Sequence, residues 1–205
     1  MKPDSNAIRQ RYDRIAPYFE GLEAAMEGLF FKSWRKRLWA KVDGHHILEV
    51  GVGTGKNFDY YPADARITAI DFSEQMLKQA AQKRGRKNIN VELEVMDVQS
   101  LYFADNSFDT VICSFVFCSV PSALKGLKEV YRVCKPGGQV LLLEHVLSSN
   151  AVLAALMNLF NPVVVALVGA NINRNTVKNV KACAFTSVHV DQRSSDMIKL
   201  IEARK

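Results

Sequence analysis

The chain has 205 residues, enough for one large domain with a full hydrophobic core. A composition of 48% hydrophobic and 23% charged residues is that of a folded globular protein and excludes a disordered or fibrous one; the formal net charge of +6 favours anionic partners without choosing among them. The four cysteines, Cys113, Cys118, Cys134 and Cys183, lack C-x-x-C spacing, which argues against zinc and against a secreted disulfide framework and for a reducing cytosol.

The opening MKPDSNAIRQRYDR lacks the apolar run of a signal peptide. Residues 7–20 place Ile8, Tyr12, Ile15, Ala16 and Phe19 at helical spacing, and a second helical stretch is expected from about Glu23 to Val42. HHILEV then reads as a buried strand ending at a glycine turn. RITAID is a second strand, followed by a helix in SEQMLKQAAQKR with Ser73 as its cap. NVELEVMD and SFDTVICSFVF give two more strands, and the helix SALKGLKEVYRVC stops at KPGG before the strand QVLLLEHV. AFTSVHVD and DMIKLIEAR are read as a final hairpin. The pattern predicts an α/β fold, a doubly wound, mostly parallel seven-stranded sheet under an N-terminal helical lid. It is one domain, 1–205, with a lid at 1–42, a core at 43–147, and substrate-roof helices and hairpin at 148–205. Ligands in such folds bind beyond the carboxyl ends of the strands.

Gly51, Gly53 and Gly55 stand at the first of those ends in LEVGVGTGKN. Three alternating glycines suggest a cofactor pressed against bare backbone, where a plain turn needs one or two. A dinucleotide fingerprint would put its third glycine where Lys56 stands, and a P-loop would follow Gly55-Lys56 with Ser or Thr instead of Asn57. Glu49 would repel a pyrophosphate and welcome a cation. Asp71 ends the second strand, where a carboxylate can accept from ribose hydroxyls, and Asp97 follows the third, where it can accept from an adenine amino group. Each alone reads as a turn or cap residue, but three successive strand ends carry an acid. Ribose, adenine and a positive charge without phosphate describe S-adenosylmethionine.

ExGxGTG, the acidic second-strand end, MD, and CKPGGQVLLLEH together resemble class I methyltransferases over roughly residues 45–147. The resemblance implies S-adenosyl-L-methionine as donor and S-adenosyl-L-homocysteine as product. It implies that Glu49, Gly51, Gly53 and Asn57 line the methionine and ribose part of the site. Asp71, Phe72 and Met76 would hold ribose and one adenine face, Asp97 and Val98 adenine, and Ser114 and Phe115 would close the pocket near the sulfonium. Tyr12, in the YDRIAPYFE lid, would also touch the cofactor.

Methyl transfer is an in-line displacement that needs positioning and no metal. The fourth strand lacks the N/D-P-P-Y/F/W motif usual in nucleic-acid amino-methylating enzymes of this fold, so no nucleic acid is expected. EGLFFKSWRKRLWAKV mixes Phe30, Phe31, Trp34, Leu38 and Trp39 with Lys32, Arg35, Lys36, Arg37 and Lys41, which suits an anionic lipid surface or a lid helix with solvated basic residues. Residues 151–170 carry no charge but contain Asn158, Asn161 and Pro162. They are read as two short apolar helices, roofing the substrate or dipping into a membrane.

These features resemble small bacterial phospholipid N-methyltransferases and ubiquinone/menaquinone C-methyltransferases, which share the Y-D-x-x-A lid. GTGKNFDYYP and NINRNTVKNV look closer to the phospholipid enzymes, although membrane-bound thiol methyltransferases carry the same marks. On that reading Tyr12 and Tyr18 close the site and stabilise a methylated ammonium by about 0.5–2 kcal/mol of cation–π attraction. Arg174 and Lys178 meet a lipid phosphate. His145, ending the fifth strand, is placed to take a proton, although a lone histidine is more often structural. The expectation is a cytoplasmic, peripherally membrane-associated enzyme acting on a lipophilic substrate. Phosphatidylethanolamine is the first choice, with a prenylated quinone precursor or a small thiol as alternatives.

Overall fold

A computed structural model describes residues 5–26, 31–191 and 195–205. Seven strands form one sheet: β1 (His46–Val50), β2 (Arg66–Asp71), β3 (Glu92–Val95), β4 (Phe108–Ser114), β5 (Cys134–His145), β6 (Ser187–Val190) and β7 (Ile198–Arg204). Their order is β3-β2-β1-β4-β5-β7-β6. The first five run parallel, and β7 lies antiparallel between β5 and β6. The order reverses direction between β1 and β4, which opens a crevice at their carboxyl ends. The final hairpin is as expected. The KPGG segment, read from sequence as a helix stop, is drawn into the start of β5, where the pairing with β4 shifts between Phe108 and Thr110.

Both faces of the sheet are covered, so its central strands are apolar on both sides. Alternation sends Leu48 and Leu142 into one layer with Val111, Leu127 and Val130. Ile47 and Leu141 enter the other, with Leu38, Trp39, Ile67 and Leu77. Truncating Leu141 or Leu142, both fully buried, to alanine is expected to cost about 2–5 kcal/mol.

The helices are α1 (Ser5–Met26), α2 (Lys32–Trp39), α3 (Glu74–Lys87), α4 (Ala123–Val133), α5 (Ala151–Val168) and α6 (Thr176–Lys181). The stretch expected as one helix over 23–42 is divided: α1 runs through Pro17 to Met26, and α2 holds only eight residues. Phe30 lies outside the described residues. Ser73 caps α3, its Oγ accepting from the Met76 N–H at 3.2 Å.

Residues 151–168 form one helix, not two. Pro162 removes one backbone donor, but Asn158 and Asn161 are not interruptions: both side chains tie the helix to the segment that follows it. Asn161 Oδ1 accepts from the Ile172 N–H, and Asn158 Oδ1 from Asn173 Nδ2, each at 2.9 Å. Eighteen residues span about 27 Å, and among the described residues no helix is long and apolar enough to cross a membrane.

Candidate active site

The carboxyl ends of β3, β2, β1 and β4 open into one cavity, with Ser5, Tyr12 and Phe19 of α1 on its far wall. At the end of β1 the chain turns through left-handed conformations. Gly51 has φ +72°, and a Cβ there would lie 2.5 Å from Val116 Cγ2. Gly53, at φ +55°, has nothing within 4 Å of where its Cβ would be, so its bare face looks into open space. Gly55 is bare for another reason: a Cβ would strike the Phe58 ring at 2.5 Å, so this glycine serves packing and not a ligand.

Asp71 is buried where β2 stops. Its two oxygens accept from the N–H groups of Gly53 and Ser73, each at 2.9 Å. Burial pushes its carboxyl up to about 6, and these backbone donors restrain the rise. Asp97, after β3, accepts from Ser5 Oγ at 3.0 Å and from the Gln99 N–H at 2.9 Å. Met76, Met96 and Val98 supply apolar surface between and beside these acids.

The turn after β4 is strained. Phe115 holds φ +58°, an uncommon state for a residue with a side chain, while its N–H donates to the Leu143 carbonyl at 2.7 Å. Its ring lies 4.7 Å from that of Phe31 and 5.4 Å from the Arg35 guanidinium. The next two N–H groups, of Val116 and Phe117, both donate to Glu144 Oε1, at 3.0 and 3.1 Å. Glu144 is fully buried, and desolvation lifts its carboxyl to about 8. Beyond them Cys118 and Ser119 reach the cavity wall, where Ser119 Oγ is hydrogen-bonded to the Tyr12 hydroxyl.

Glu49 and Asn57 do not line the cavity; they lie beneath it. Glu49 is fully buried and accepts from Asn57 Nδ2 at 2.5 Å and from the Tyr61 hydroxyl. Desolvation raises its carboxyl, opposed by these two bonds and by the charge of Arg35. Arg35 in turn donates to Asn57 Oδ1 and Ser114 Oγ, each at 3.2 Å. The cation that Glu49 was expected to welcome is therefore, in part, the protein's own.

Of the other expected site residues, Tyr12, Gly51, Gly53, Asp71, Phe72, Met76, Asp97, Val98, Ser114 and Phe115 share the cavity. Tyr18 is a correction. It is 71% exposed, because six residues along a helix turn it about 120° away from Tyr12, whereas Phe19 shares Tyr12's face at 6.4 Å. His145 is also outside the lining. Its ring is held by the Ile172 backbone, and burial lowers its pKa, so it stays neutral near pH 7. Arg174 donates to the Val120 carbonyl at 2.8 Å, and Lys178 is exposed on α6.

The basic helix needs the largest revision. Arg35 is 6% exposed and lines the cavity, Arg37 pairs with Asp191 at 2.9 Å, and Lys41 with Glu202 at 2.8 Å. The sequence carried the sign: Phe31, Arg35, Leu38, Trp39 and Val42 form one helical stripe, so Arg35 stands on the buried face. Asp13 was also missed. Its Oδ1 accepts from Ser73 Oγ at 2.6 Å and the Gln75 N–H at 3.3 Å, pinning the lid to the start of α3.

A family profile for a methyltransferase domain matches residues 48–142. The chain is 36% identical over 154 residues to a phosphatidylethanolamine N-methyltransferase of Cereibacter sphaeroides, covering 73% of each chain. The protein belongs to the class I S-adenosylmethionine-dependent methyltransferases. A demethylmenaquinone methyltransferase of Deinococcus radiodurans is 30% identical over 175 residues, 82% of this chain and 73% of that one. A thiol S-methyltransferase of Rattus norvegicus is 33% identical over 153 residues, 71% of this chain and 62% of that one. Among solved structures, the [4+2]-cyclase SpnF superposes with TM-score 0.76 at 18% identity, over 100% of this chain and 97% of that one. A Haemonchus contortus phospholethanolamine N-methyltransferase bound to S-adenosylhomocysteine gives 0.68 at 16%, over 87% of this chain and 53% of that one.

The methyltransferase's cavity fits its donor. From β3 to β4 is three strand spacings, about 14 Å, a span suited to an extended adenosylmethionine. A carboxylate has about four acceptor positions, so Asp71 keeps capacity for ribose hydroxyls after its two backbone bonds. The oxygens of Asp97 are already met by Ser5 Oγ and by the backbone and side chain of Gln99, so an adenine amino group would have to replace the Gln99 amide there. The donor supplies an electrophilic methyl group. The protein keeps a nucleophile of its own quiet at the cavity wall: burial pushes the Cys118 thiol up to about 12, so it stays protonated.

Proposed function

We propose that this methyltransferase acts on a lipophilic acceptor drawn from a membrane surface, with phosphatidylethanolamine as the first choice. One observation carries the reading. On α5, Val152, Leu156, Leu159, Phe160, Val163 and Leu167 are all exposed, by 46–72%. At 100° per residue they share an arc of roughly 100°, the stripe of a helix that lies in an interface. That helix ends at Gly169, and the next residue, Ala170, lines the cavity. An apolar chain lying along α5 would thus have its headgroup near the donor's methyl group. Lys178, exposed on α6, adds positive charge for anionic lipid.

The acceptor end is walled by Phe19, Cys118, Val120, Pro121 and Ala170, a lining that disfavours an ammonium and favours the neutral amine that attacks. The relative named for phosphatidylethanolamine supports this choice. A quinone precursor is the second reading, supported by the longer match to the demethylmenaquinone enzyme. The deciding experiment supplies methyl-labelled donor and a total lipid extract. Label in N-methylated phosphatidylethanolamine is expected. Label only in a quinone ring, or only in an added small thiol, would overturn that choice.

A further inference from the structure

We propose that Asn171 is a positioning residue for the acceptor: it fixes the wall of the acceptor end and ties that wall to α5. The wall is the loop after β4, where Cys118, Ser119, Val120 and Pro121 line the cavity. These residues lie beyond the strand, so no ladder holds them. Two of their carbonyls are gripped instead by the segment that follows α5. The backbone N–H and the side-chain Nδ2 of Asn171 both donate to the Cys118 carbonyl, at 2.8 and 2.9 Å, which engages both its lone pairs. Arg174 holds the Val120 carbonyl at 2.8 Å.

The same amide reaches the other way. Asn171 Oδ1 accepts from Asn161 Nδ2 at 3.3 Å, and Asn161 Oδ1 accepts from the Ile172 N–H at 2.9 Å. Asn161 thus donates to Asn171, and Asn171 to Cys118, in a relay that runs from the middle of α5 to the cavity wall. A carboxamide donates at one end and accepts at the other, whereas an ionised aspartate in either place could not donate. At 100° per residue, Asn161 stands about 150° from the centre of the exposed apolar row. Two sides of one helix therefore face the apolar row's occupant and the wall near the methyl group. The lipid end of this link rests on the membrane reading of α5 above; the wall end does not. A misplacement of about 1 Å at the reacting groups can cost about 10²-fold in rate. A loosened wall should therefore show in turnover before it shows in cofactor binding.

The test counts methyl label passed from S-adenosylmethionine to a total lipid extract, presented as anionic vesicles with a small thiol added, so that transfer to any of these acceptors is read. Calorimetry with S-adenosylhomocysteine and sedimentation with the vesicles run alongside. Asn171→Ala and Asn161→Ala should each lower kcat about tenfold, with donor KM, S-adenosylhomocysteine affinity and sedimentation as in the native protein. The double variant should lose no more than Asn171→Ala alone, because both act through one path of contacts. Asn158→Ala is the control: it cuts a 2.9 Å tie between α5 and Asn173 that lies off this path, and should turn over normally. Native turnover in Asn161→Ala, additive losses in the double variant, or an equal loss in Asn158→Ala each overturn the proposal. A matching fall in S-adenosylhomocysteine affinity, which a merely structural Asn171 predicts, overturns it as well. If the native protein does not sediment while the tenfold, non-additive loss remains, the membrane reading of α5 fails and the role of Asn171 stands.

Discussion

Asp71 shows how much one side chain is asked to do. Its carboxylate closes the glycine turn through Gly53, starts the next helix through Ser73, and lines the cavity, where ribose is expected. With its pKa lifted to about 6, it gains a proton in mildly acidic solution, and a protonated carboxyl is a poorer acceptor. Affinity for S-adenosylhomocysteine is therefore expected to rise with pH through about 6 and then level. In Asp71→Asn the calorimetric profile should be flat and weaker throughout; a native profile already flat would remove the ribose assignment. A second residue-scale expectation concerns Gly51→Ala. The left-handed conformation costs about 1–2 kcal/mol, and the Cβ meets Val116 at 2.5 Å. Thermal unfolding of Gly51→Ala should fall markedly, with partial rescue by Val116→Ala. The acids and glycines were legible because strand ends are legible. Arg35 was misassigned because its charge was weighed before its place on the apolar stripe, and Glu144 went unnoticed because its bonds run to backbone groups 27 and 28 residues away.

At the scale of elements, the strands and the central helices follow their patterns, whereas the two helical borders do not. The break expected at Pro162 fails because side chains at 158 and 161 tie the helix to residues 172 and 173, contacts that no local pattern reveals. What remains on the outer side of α5 is a continuous apolar row. Leu159→Asp with Phe160→Asp places two charges in that row, away from the buried face. Sedimentation with anionic vesicles should then drop by an order of magnitude while soluble-ligand affinity stays native; unaltered sedimentation would leave α5 without a membrane role. The lid has its own weak point. Asp13 joins α1 to the first turn of α3 through Ser73 and Gln75, so Asp13→Ala should cost about 1 kcal/mol. Limited proteolysis should cut α1 faster in that variant, and added S-adenosylhomocysteine should slow the cut. Equal cleavage rates would show that the lid is held by its apolar contacts alone.

Across the whole molecule, three carboxyls raised by burial, those of Glu49, Asp71 and Glu144, gather under the carboxyl edge of the sheet. Each binds its proton more tightly folded than unfolded. The stability they contribute is complete below the ordinary carboxylate range and is lost as pH rises, through about 6 for Asp71 and about 8 for Glu144. Asp109 and Asp196, pulled down to about 2 by their hydrogen bonds, work oppositely: their contribution holds above about 4 and disappears only in stronger acid. The ligand-free fold should therefore be most stable in mildly acidic solution and should soften steadily toward alkaline pH. A bound sulfonium adds further positive charge near these acids, beyond that of Arg35 and Arg174. The thermal shift given by S-adenosylmethionine should thus exceed that of the neutral-sulfur product by a margin that widens as pH rises. Glu144→Gln separates the scaffold from the site: its amide oxygen can still accept from Val116 and Phe117, but it cannot ionise. Its unfolding temperature should change least with pH between about 6 and 8, while the widening margin between the two ligands persists. If the native and Glu144→Gln profiles run parallel over that interval, the buried carboxyl under the β4 turn is not what sets the alkaline limit of the fold.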